Sequence, residues 1–235
     1  MEESAMKALC ARFEKLQPAV ISDVLDVMGW PDQCLSSNMG LKAGTKVAGP
    51  AFCLRGTSTV GAGMPAPAGK SKPVYEMDRQ LYDGCVAVIE TGGHNQGAVV
   101  GGNLILSFKL RGCRGMIIDG GIRDGAEVVE MGFTTFCRFV TPRANKGLWE
   151  FTQIEIPVRL PGQTSATVVI NPGDFVVGDY DGVVVVPREV AEEVAAAAEK
   201  TEALEHRIKD ELLTGEDREK VYKRNDRYAH IAKKR

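Results

Sequence analysis

An adjacent arginine and aspartate, Arg123-Asp124, form the pair in this 235-residue chain that is best suited to chemistry. An arginine guanidinium binds a carboxylate through two parallel hydrogen bonds, and a neighbouring carboxylate can hold a hard divalent cation or its hydration shell. Gly120, Gly121 and Gly125 lie close to the pair in sequence and leave room for a ligand. These features favour a site for a small oxo acid over a surface ion pair at Arg123.

Asp124 has a structural alternative that the sequence leaves open. Its spacing from Glu127 matches a capping box, in which Asp124 only starts the helix that follows. Because a carboxylate has two oxygens, capping and metal binding can also coexist in one residue.

The pattern around the pair predicts strand, helix, strand and helix in succession, as in parallel crossover units. Loops that follow parallel strands meet at one edge of the sheet, and a helix start near Asn103 would offer unpaired N–H groups to an anion there. The predicted pieces are a strand over 85–89, a glycine-rich loop over 91–97, a helix over 104–111 with Asn103 as N-cap and Gly112 just past its end, a strand over 116–118, a turn over 119–121, and a helix over 125–131 closed by Gly132.

Several short motifs, in this order along the chain, resemble a known family. They are Gly101-Gly102-Asn103-Leu104, Arg111-Gly112 and the segment IDGGIRD over 118–124, with further landmarks over 47–51 and 172–187. The family comprises the class II 4-hydroxy-4-methyl-2-oxoglutarate aldolases and the regulator of ribonuclease activity A. The resemblance covers most of residues 18–225 and implies a compact α/β domain of the swivelling β/β/α type. The pattern alone predicts an α/β fold with a partly parallel central sheet.

The resemblance also implies roles for individual residues. The glycine loop that starts at Gly101 would bind a pyruvate moiety through the backbone amides of Gly102, Asn103 and Leu104. Arg123 would bind the substrate and act as the catalytic residue, and Asp124 would help to hold Mg²⁺ or Mn²⁺. The implied activity is that of a divalent-metal-dependent lyase that cleaves a 2-oxo acid and releases pyruvate.

Position 102 departs from the pattern of the aldolases, which commonly carry an acidic residue there, whereas this chain has Gly102. Glu90, Asp119 and Glu76 are the residues that we consider as spatial replacements. Decarboxylation of oxaloacetate forms the same enolate as aldol cleavage but needs no base, so we expect it to tolerate Gly102 better. The alternative function is that of a non-catalytic, protein-binding regulator of a ribonuclease.

Apolar residues at three-to-four spacing predict one long amphipathic helix over 189–213. The resemblance implies a homotrimer or homohexamer with sites near subunit contacts, in which Glu199, Glu202 or Glu205 could reach a neighbouring site; solvated helix faces are the alternative. We expect one domain over 1–215 and a basic, solvated tail over 216–235.

Composition indicates an ordinary globular protein. The chain is 44% hydrophobic and 26% charged with a net charge of −2, which does not favour a nucleic-acid partner. It has no leader-like start and no run of about 18 apolar residues, so we expect a soluble, cytoplasmic protein without a membrane span.

The remaining residues with possible chemistry carry weaker indications. Six cysteines without a Cys-x-x-Cys pair predict buried thiols rather than a zinc site. His94 lies in the glycine-rich loop, where it could contact the site; we favour a histidine that is solvated or a hydrogen-bond partner elsewhere. The segment over 56–73 reads as a long loop of open role. Scaffold predictions are a helix over 18–28 entered near Ser22 and strands over 47–54, 154–158, 166–170, 175–177 and 183–186.

Overall fold

The computed structural model describes residues 3–59 and 73–232. The helices are α1 (Glu3–Phe13), α2 (Pro18–Val27), α3 (Pro73–Gln80), α4 (Gly102–Leu110), α5 (Gly125–Met131), α6 (Ala191–Leu213) and α7 (Arg218–Arg224). The strands are β1 (Gly40–Ala43), β2 (Val47–Ser58), β3 (Val86–Glu90), β4 (Ala98–Val100), β5 (Gly115–Ile122), β6 (Thr134–Val140), β7 (Trp149–Ile154), β8 (Val158–Leu160), β9 (Val168–Ile170), β10 (Phe175–Asp179) and β11 (Gly182–Val186). Within these ranges no helix combines the length and apolarity that a membrane span requires.

One mixed sheet organises the fold. Its main path runs β1-β6-β5-β3-β2-β10-β11, with β4 beside β5 and β7 beside β2. Strands β2, β3, β5 and β6 are parallel to one another, β4 is parallel to β5, and β1, β7, β10 and β11 pair antiparallel. Strands β8 and β9 form a separate hairpin. The predicted α/β fold with a partly parallel sheet and a long C-terminal helix is confirmed.

Apolar side chains cover both faces of the parallel strands, as expected for strands that read as continuous hydrophobic runs. On one face, side chains such as Ile118 pack against α4 and α5. On the other face, side chains such as Ile117 and Val88 pack against the β8–β9 hairpin. A third cluster joins α1, α2 and α6 to β10 and β11. Helices α4 and α5 are therefore held against the sheet by burial, with their first residues at its edge.

The turn predicted over 119–121 is wrong, because β5 continues through it to Ile122. Its glycines are needed for close packing rather than for a turn. A Cβ on Gly121 would collide with the Phe139 ring, and one on Gly120 would lie 2.8 Å from the Thr91 methyl group. The longer strand carries Arg123 to the edge of the sheet.

Other boundaries also differ from the prediction. Strand β2 continues past residue 54 to Ser58, so only 60–72 of the predicted loop lie outside the described residues. The strand predicted over 154–158 is wrong, since β7 and β8 are separated at Glu155, which has a φ of 52°. Helix α2 starts at Pro18 with Gln17 as N-cap, not near Ser22. The long helix predicted over 189–213 is confirmed as α6.

The C-terminal residues pack onto the domain. Val221 and Ile231 are buried, and Tyr228 donates a hydrogen bond from its hydroxyl to Asp23 Oδ2 at 2.6 Å. The predicted solvated tail holds for most of the described basic side chains, which are exposed, whereas Tyr228 and Ile231 pack with the cluster around α6. A domain boundary at 215 stays a prediction.

Three glutamates of α6 that were considered for a neighbouring site are bound within the chain. Glu199 accepts a hydrogen bond from Arg12 Nε at 2.7 Å, Glu205 pairs with Arg227, and Glu202 accepts from the Gln17 side chain at 3.3 Å. These contacts join α6 to the two ends of the chain, which favours a structural role for all three carboxylates.

Candidate active site

Residues predicted for the site come together at the carboxyl edge of the parallel strands. Strand β4 leads to Gly101, the N-cap of α4, and β5 leads to Arg123 and Asp124. The pairing of the two strands includes a hydrogen bond from the Arg123 N–H to the Val100 carbonyl at 3.0 Å. The prediction of Asn103 as N-cap is wrong, since the helix begins two residues earlier than predicted, at Gly102.

Asp124 connects the two helices of the site. Its backbone is left-handed (φ 62°, ψ 36°) at the N-cap of α5, yet its side chain makes no capping bond to that helix. The carboxylate instead accepts a hydrogen bond from the Gly102 N–H at 2.9 Å, in the first turn of α4. Asp124 therefore occupies the N-cap position of α5, but its side chain caps the neighbouring helix α4. The predicted capping box with Glu127 is wrong.

The amides predicted to bind pyruvate differ in availability. The Gly102 N–H is used by Asp124, and the Leu104 N–H lies 3.1 Å from the Gly101 carbonyl oxygen. Asn103 supplies the second amide of the helix, which has no acceptor within the helix itself. The Asn103 amide and the Arg123 guanidinium are thus the donors best placed for an anion. Arg123 and Asp124 are 43% and 39% exposed, with Arg123 Nε 3.4 Å from Asp124 Oδ2.

Glu127 occupies the space that a side chain at position 102 would need. A Cβ on Gly102 would lie 2.7 Å from the Glu127 carboxyl carbon, and a Cβ on Gly101 would lie 2.9 Å from Asp124 Oδ2. Within the part of the chain that the structure describes, no hydrogen bond or ion pair holds the exposed Glu127 carboxylate. The glycine loop therefore faces two carboxylates, both of them from the start of α5.

Sequence reasoning assigned Glu127 only to capping and missed it as a site residue. Its spacing of three from Asp124 was the available indication, because residues i and i+3 of a helix lie on the same face.

The residues predicted to replace an acid at 102 lie in other ion pairs. Glu90 Oε2 is 2.9 Å from Arg55 Nη2, Asp119 Oδ1 is 3.2 Å from Arg138 Nη1, and Glu76 Oε2 is 2.8 Å from Arg79 Nη1. Burial raises the pKa of Asp119, and Arg138 opposes that rise. These ion pairs favour a role in the scaffold for all three carboxylates.

His94 is buried within the predicted loop, with only 4% of its surface exposed. Its Nδ1 lies 3.1 Å from Ser58 Oγ, and its Nε2 is buried without a hydrogen-bond partner. Burial lowers the pKa of the imidazole, which favours the neutral form. These contacts agree with the favoured reading of His94 as a hydrogen-bond partner.

The donor set at the site suits a hard cation. Across residues 3–59 and 73–232, no three His, Cys, Asp or Glu side chains are grouped to hold a metal. Asp124 and Glu127 offer oxygen donors only, and Mg²⁺ is commonly held by one or two carboxylates while it keeps several waters. The cysteines are free thiols, buried except for the half-buried Cys34, as predicted.

Comparison with known proteins places this fold and site in one family. The profile of the RraA-like family, described as Aldolase/RraA, matches residues 19–185. The chain belongs to the RraA-like family. The match spans the glycine loop, Arg123-Asp124 and Glu127, so the site lies within the shared part of the sequence.

Individual RraA-like proteins are similar to this chain over different lengths. A Halalkalibacterium halodurans protein provisionally named 4-hydroxy-4-methyl-2-oxoglutarate aldolase is 31% identical, with 86% of this chain and 89% of that protein covered. An uncharacterised Methanocaldococcus jannaschii protein is 34% identical over 132 residues, which cover 56% of this chain and only 61% of that protein's length. Streptomyces coelicolor RraAS2, described as an unusual member of the RNase ES inhibitor RraA family, superposes with a TM-score of 0.70 at 29% identity, covering 85% of this chain and 95% of that one.

Substitutions at Asp124 will separate its two structural roles. Asp124→Asn keeps a side-chain acceptor and tolerates φ above zero, Asp124→Gly keeps only the backbone freedom, and Asp124→Ala keeps neither. We expect urea unfolding to show the largest loss for Asp124→Ala, about 1–2 kcal/mol. Glu130→Ala on the exposed side of α5 serves as the control. An Asn variant as unstable as the Ala variant would contradict the capping role.

His94 will make stability depend on pH. Its pKa is lowered in the folded state, so below the unfolded pKa of about 6.5 the unfolded chain binds more protons and stability falls with falling pH. The limiting slope for one group is about 1.4 kcal/mol per pH unit. In urea unfolding at pH 7.5 and 5, we expect His94→Asn to lose less stability than the wild type. The exposed His206→Asn is the control, and equal losses in all three proteins would refute the assignment.

Proposed function

We propose that this RraA-like protein is a divalent-metal-dependent lyase that cleaves a carbon–carbon bond of a 2-oxo acid and releases pyruvate. The observation that carries the proposal is the arrangement of Arg123, Asp124 and Glu127 around the first turn of α4. Relatives named as aldolases support this reaction type.

Asp124 is the residue that would hold Mg²⁺ or Mn²⁺ beside the glycine loop, which leaves the Glu127 carboxylate free to accept a proton. When bound there, the ion would act as a Lewis acid toward the 2-oxo group. Asp124 Oδ2 already accepts a hydrogen bond from the Gly102 amide, and the second carboxylate oxygen remains for the ion. Because Gly101 and Gly102 have no side chains, both carboxylates can lie directly against the start of α4.

Arg123 and the Asn103 amide bind the pyruvate half of the substrate in this proposal. The guanidinium fork matches a planar carboxylate, and the amide lies at the positive end of the helix dipole. Negative charge develops on the C2 oxygen when the bond between C3 and C4 breaks. Arg123 stabilises that charge, which lowers the barrier for any leaving group at C3.

Glu127 supplies the base that Gly102 lacks. In aldol cleavage the C3–C4 electron pair moves toward C2, the C4 hydroxyl gives its proton to Glu127, and C4 becomes a carbonyl carbon. A proton then adds at C3 and pyruvate is released. With oxaloacetate, the same bond breaks to carbon dioxide and no base is required. The proposed substrates are therefore 4-hydroxy-4-methyl-2-oxoglutarate and oxaloacetate.

A cytoplasmic homotrimer or homohexamer is part of the same proposal. Leu106 and Leu110 on α4 and Val129 on α5 are exposed apolar side chains on the two helices that begin at the site. They support a subunit contact on these helices, since large exposed apolar side chains commonly mark interfaces.

A non-catalytic regulator of a ribonuclease is the second candidate. The likeness to RraAS2, described as a member of an RNase inhibitor family, favours it. In that case Arg123 and its neighbours would be dispensable, because binding to the ribonuclease would depend on surfaces outside the site.

Pyruvate release will test the lyase. The purified protein is incubated with each proposed substrate in the presence of Mg²⁺, Mn²⁺ or a chelator. We expect metal-dependent release, and a loss of kcat/KM of about a hundredfold or more in Arg123→Ala. Arg218→Ala, at the exposed start of α7, is the matched control. Release no faster than with metal alone would argue against the lyase and for the regulator or an untested acid.

Moving the carboxylate will test the role of Glu127. Glu127→Ala should lose aldol cleavage, and Gly102→Asp should also lose it because the new side chain meets the Glu127 carboxylate. The double variant should recover activity relative to both single variants, since it has one carboxylate in the same space. Circular dichroism of all three variants checks the fold. Additive losses in the double variant would rule out this exchange.

A further inference from the structure

The segment over 141–145 fixes a second arginine at the edge of the sheet that carries the site. Its Thr141 N–H donates to the Ile122 carbonyl at 3.0 Å, at the end of β5. The Ala98 N–H, at the start of β4, donates to the Arg143 carbonyl at 2.8 Å. The backbone of Arg143 is therefore bonded to β4, and its segment also to β5, the two strands that lead into the candidate site.

Arg143 has a free head group. Within the part of the chain that the structure describes, its exposed guanidinium makes no hydrogen bond or ion pair. An unpaired arginine whose backbone is bonded to a strand that leads into the site is available to a ligand. The cations held by other groups are Arg55 with Glu90, Arg138 with Asp119, and Lys109 with the Met131 carbonyl.

Lys146 is the other cation of the same connection, but its position is different. It lies in the turn closed by the hydrogen bond from the Leu148 N–H to the Asn145 carbonyl at 2.7 Å. The backbone of Arg143 is bonded to a strand of the site, whereas Lys146 lies beyond that anchored segment. An arginine also binds a carboxylate through two bonds in a fixed plane, which a lysine does not.

We infer that Arg143 binds the distal carboxylate of a dicarboxylic 2-oxo acid whose first carboxylate is held at Arg123. This inference rests on the proposed function and makes Arg143 a specificity-determining residue. Arg123 is committed to the pyruvate half, so the second carboxylate needs its own cation. The ligand class is therefore a 2-oxo dicarboxylic acid rather than a 2-oxo monocarboxylic acid.

Calorimetric binding to the full chain with Mg²⁺ will test the inference. The ligands are 2-oxoglutarate and 2-oxopentanoate, which have the same chain length and differ in the distal carboxylate. We expect Arg143→Gln to weaken 2-oxoglutarate binding about tenfold to a hundredfold and 2-oxopentanoate binding less than about twofold. Arg143→Lys should restore part of the loss, and Lys146→Gln should change neither affinity.

The outcomes separate this inference from the proposed lyase. Equal weakening of both ligands by Arg143→Gln, no weakening of either, or a loss confined to Lys146→Gln would overturn the role of Arg143. Wild-type protein that binds neither ligand would overturn it too, even if oxaloacetate is cleaved. A selective loss of 2-oxoglutarate binding in a protein that releases no pyruvate would support Arg143 and reject the lyase.

Discussion

The hydrogen bond from the Gly102 amide to the Asp124 carboxylate is the contact on which the site depends. It joins the first turn of α4 to the residue that begins α5, and so ties together the ends of two crossover units. Asp124 reaches α4 because its left-handed backbone turns the side chain away from its own helix. Arg123 and Glu127 then follow by chain geometry, one residue before and three residues after this anchor.

Glycine at 101 and 102 lets two carboxylates approach a helix start. Side chains at these positions would collide with Asp124 and Glu127, so the loop contributes backbone and space instead of chemistry. Position 102 itself carries no acid, yet the Glu127 carboxylate of α5 lies beside it. A position without a side chain thus leaves room for a carboxylate from a neighbouring helix.

The sequence pattern correctly predicted those elements that depend on residues close together in the chain. The glycines at 112 and 132 end α4 and α5 as expected, since both have φ above zero, and the apolar runs became buried strands. Contacts between distant segments decided what was missed. The continuation of β5 depends on Phe139 packing on Gly121, the capping of α4 depends on Asp124, and the packed tail depends on α6. The position of Glu127 beside Gly102 depends on the packing of α4 next to α5, so the sequence pattern alone could not predict it.

The charged side chains at this sheet edge fall into two groups. Those that form ion pairs belong to the scaffold, and those that remain unpaired are available to a ligand. Arg55, Glu90, Asp119 and Arg138 occupy adjoining positions on four neighbouring strands, on the face that packs against the β8–β9 hairpin, and they neutralise one another. Because a partly buried charge is costly without a partner, that row is fixed by folding itself. Exposed, unpaired charges remain hydrated and so have no such desolvation cost. They gain a partner only when a ligand binds. Glu127 and Arg143 meet that condition, and both follow Arg123 along the chain, at the edge where parallel strands present their loops.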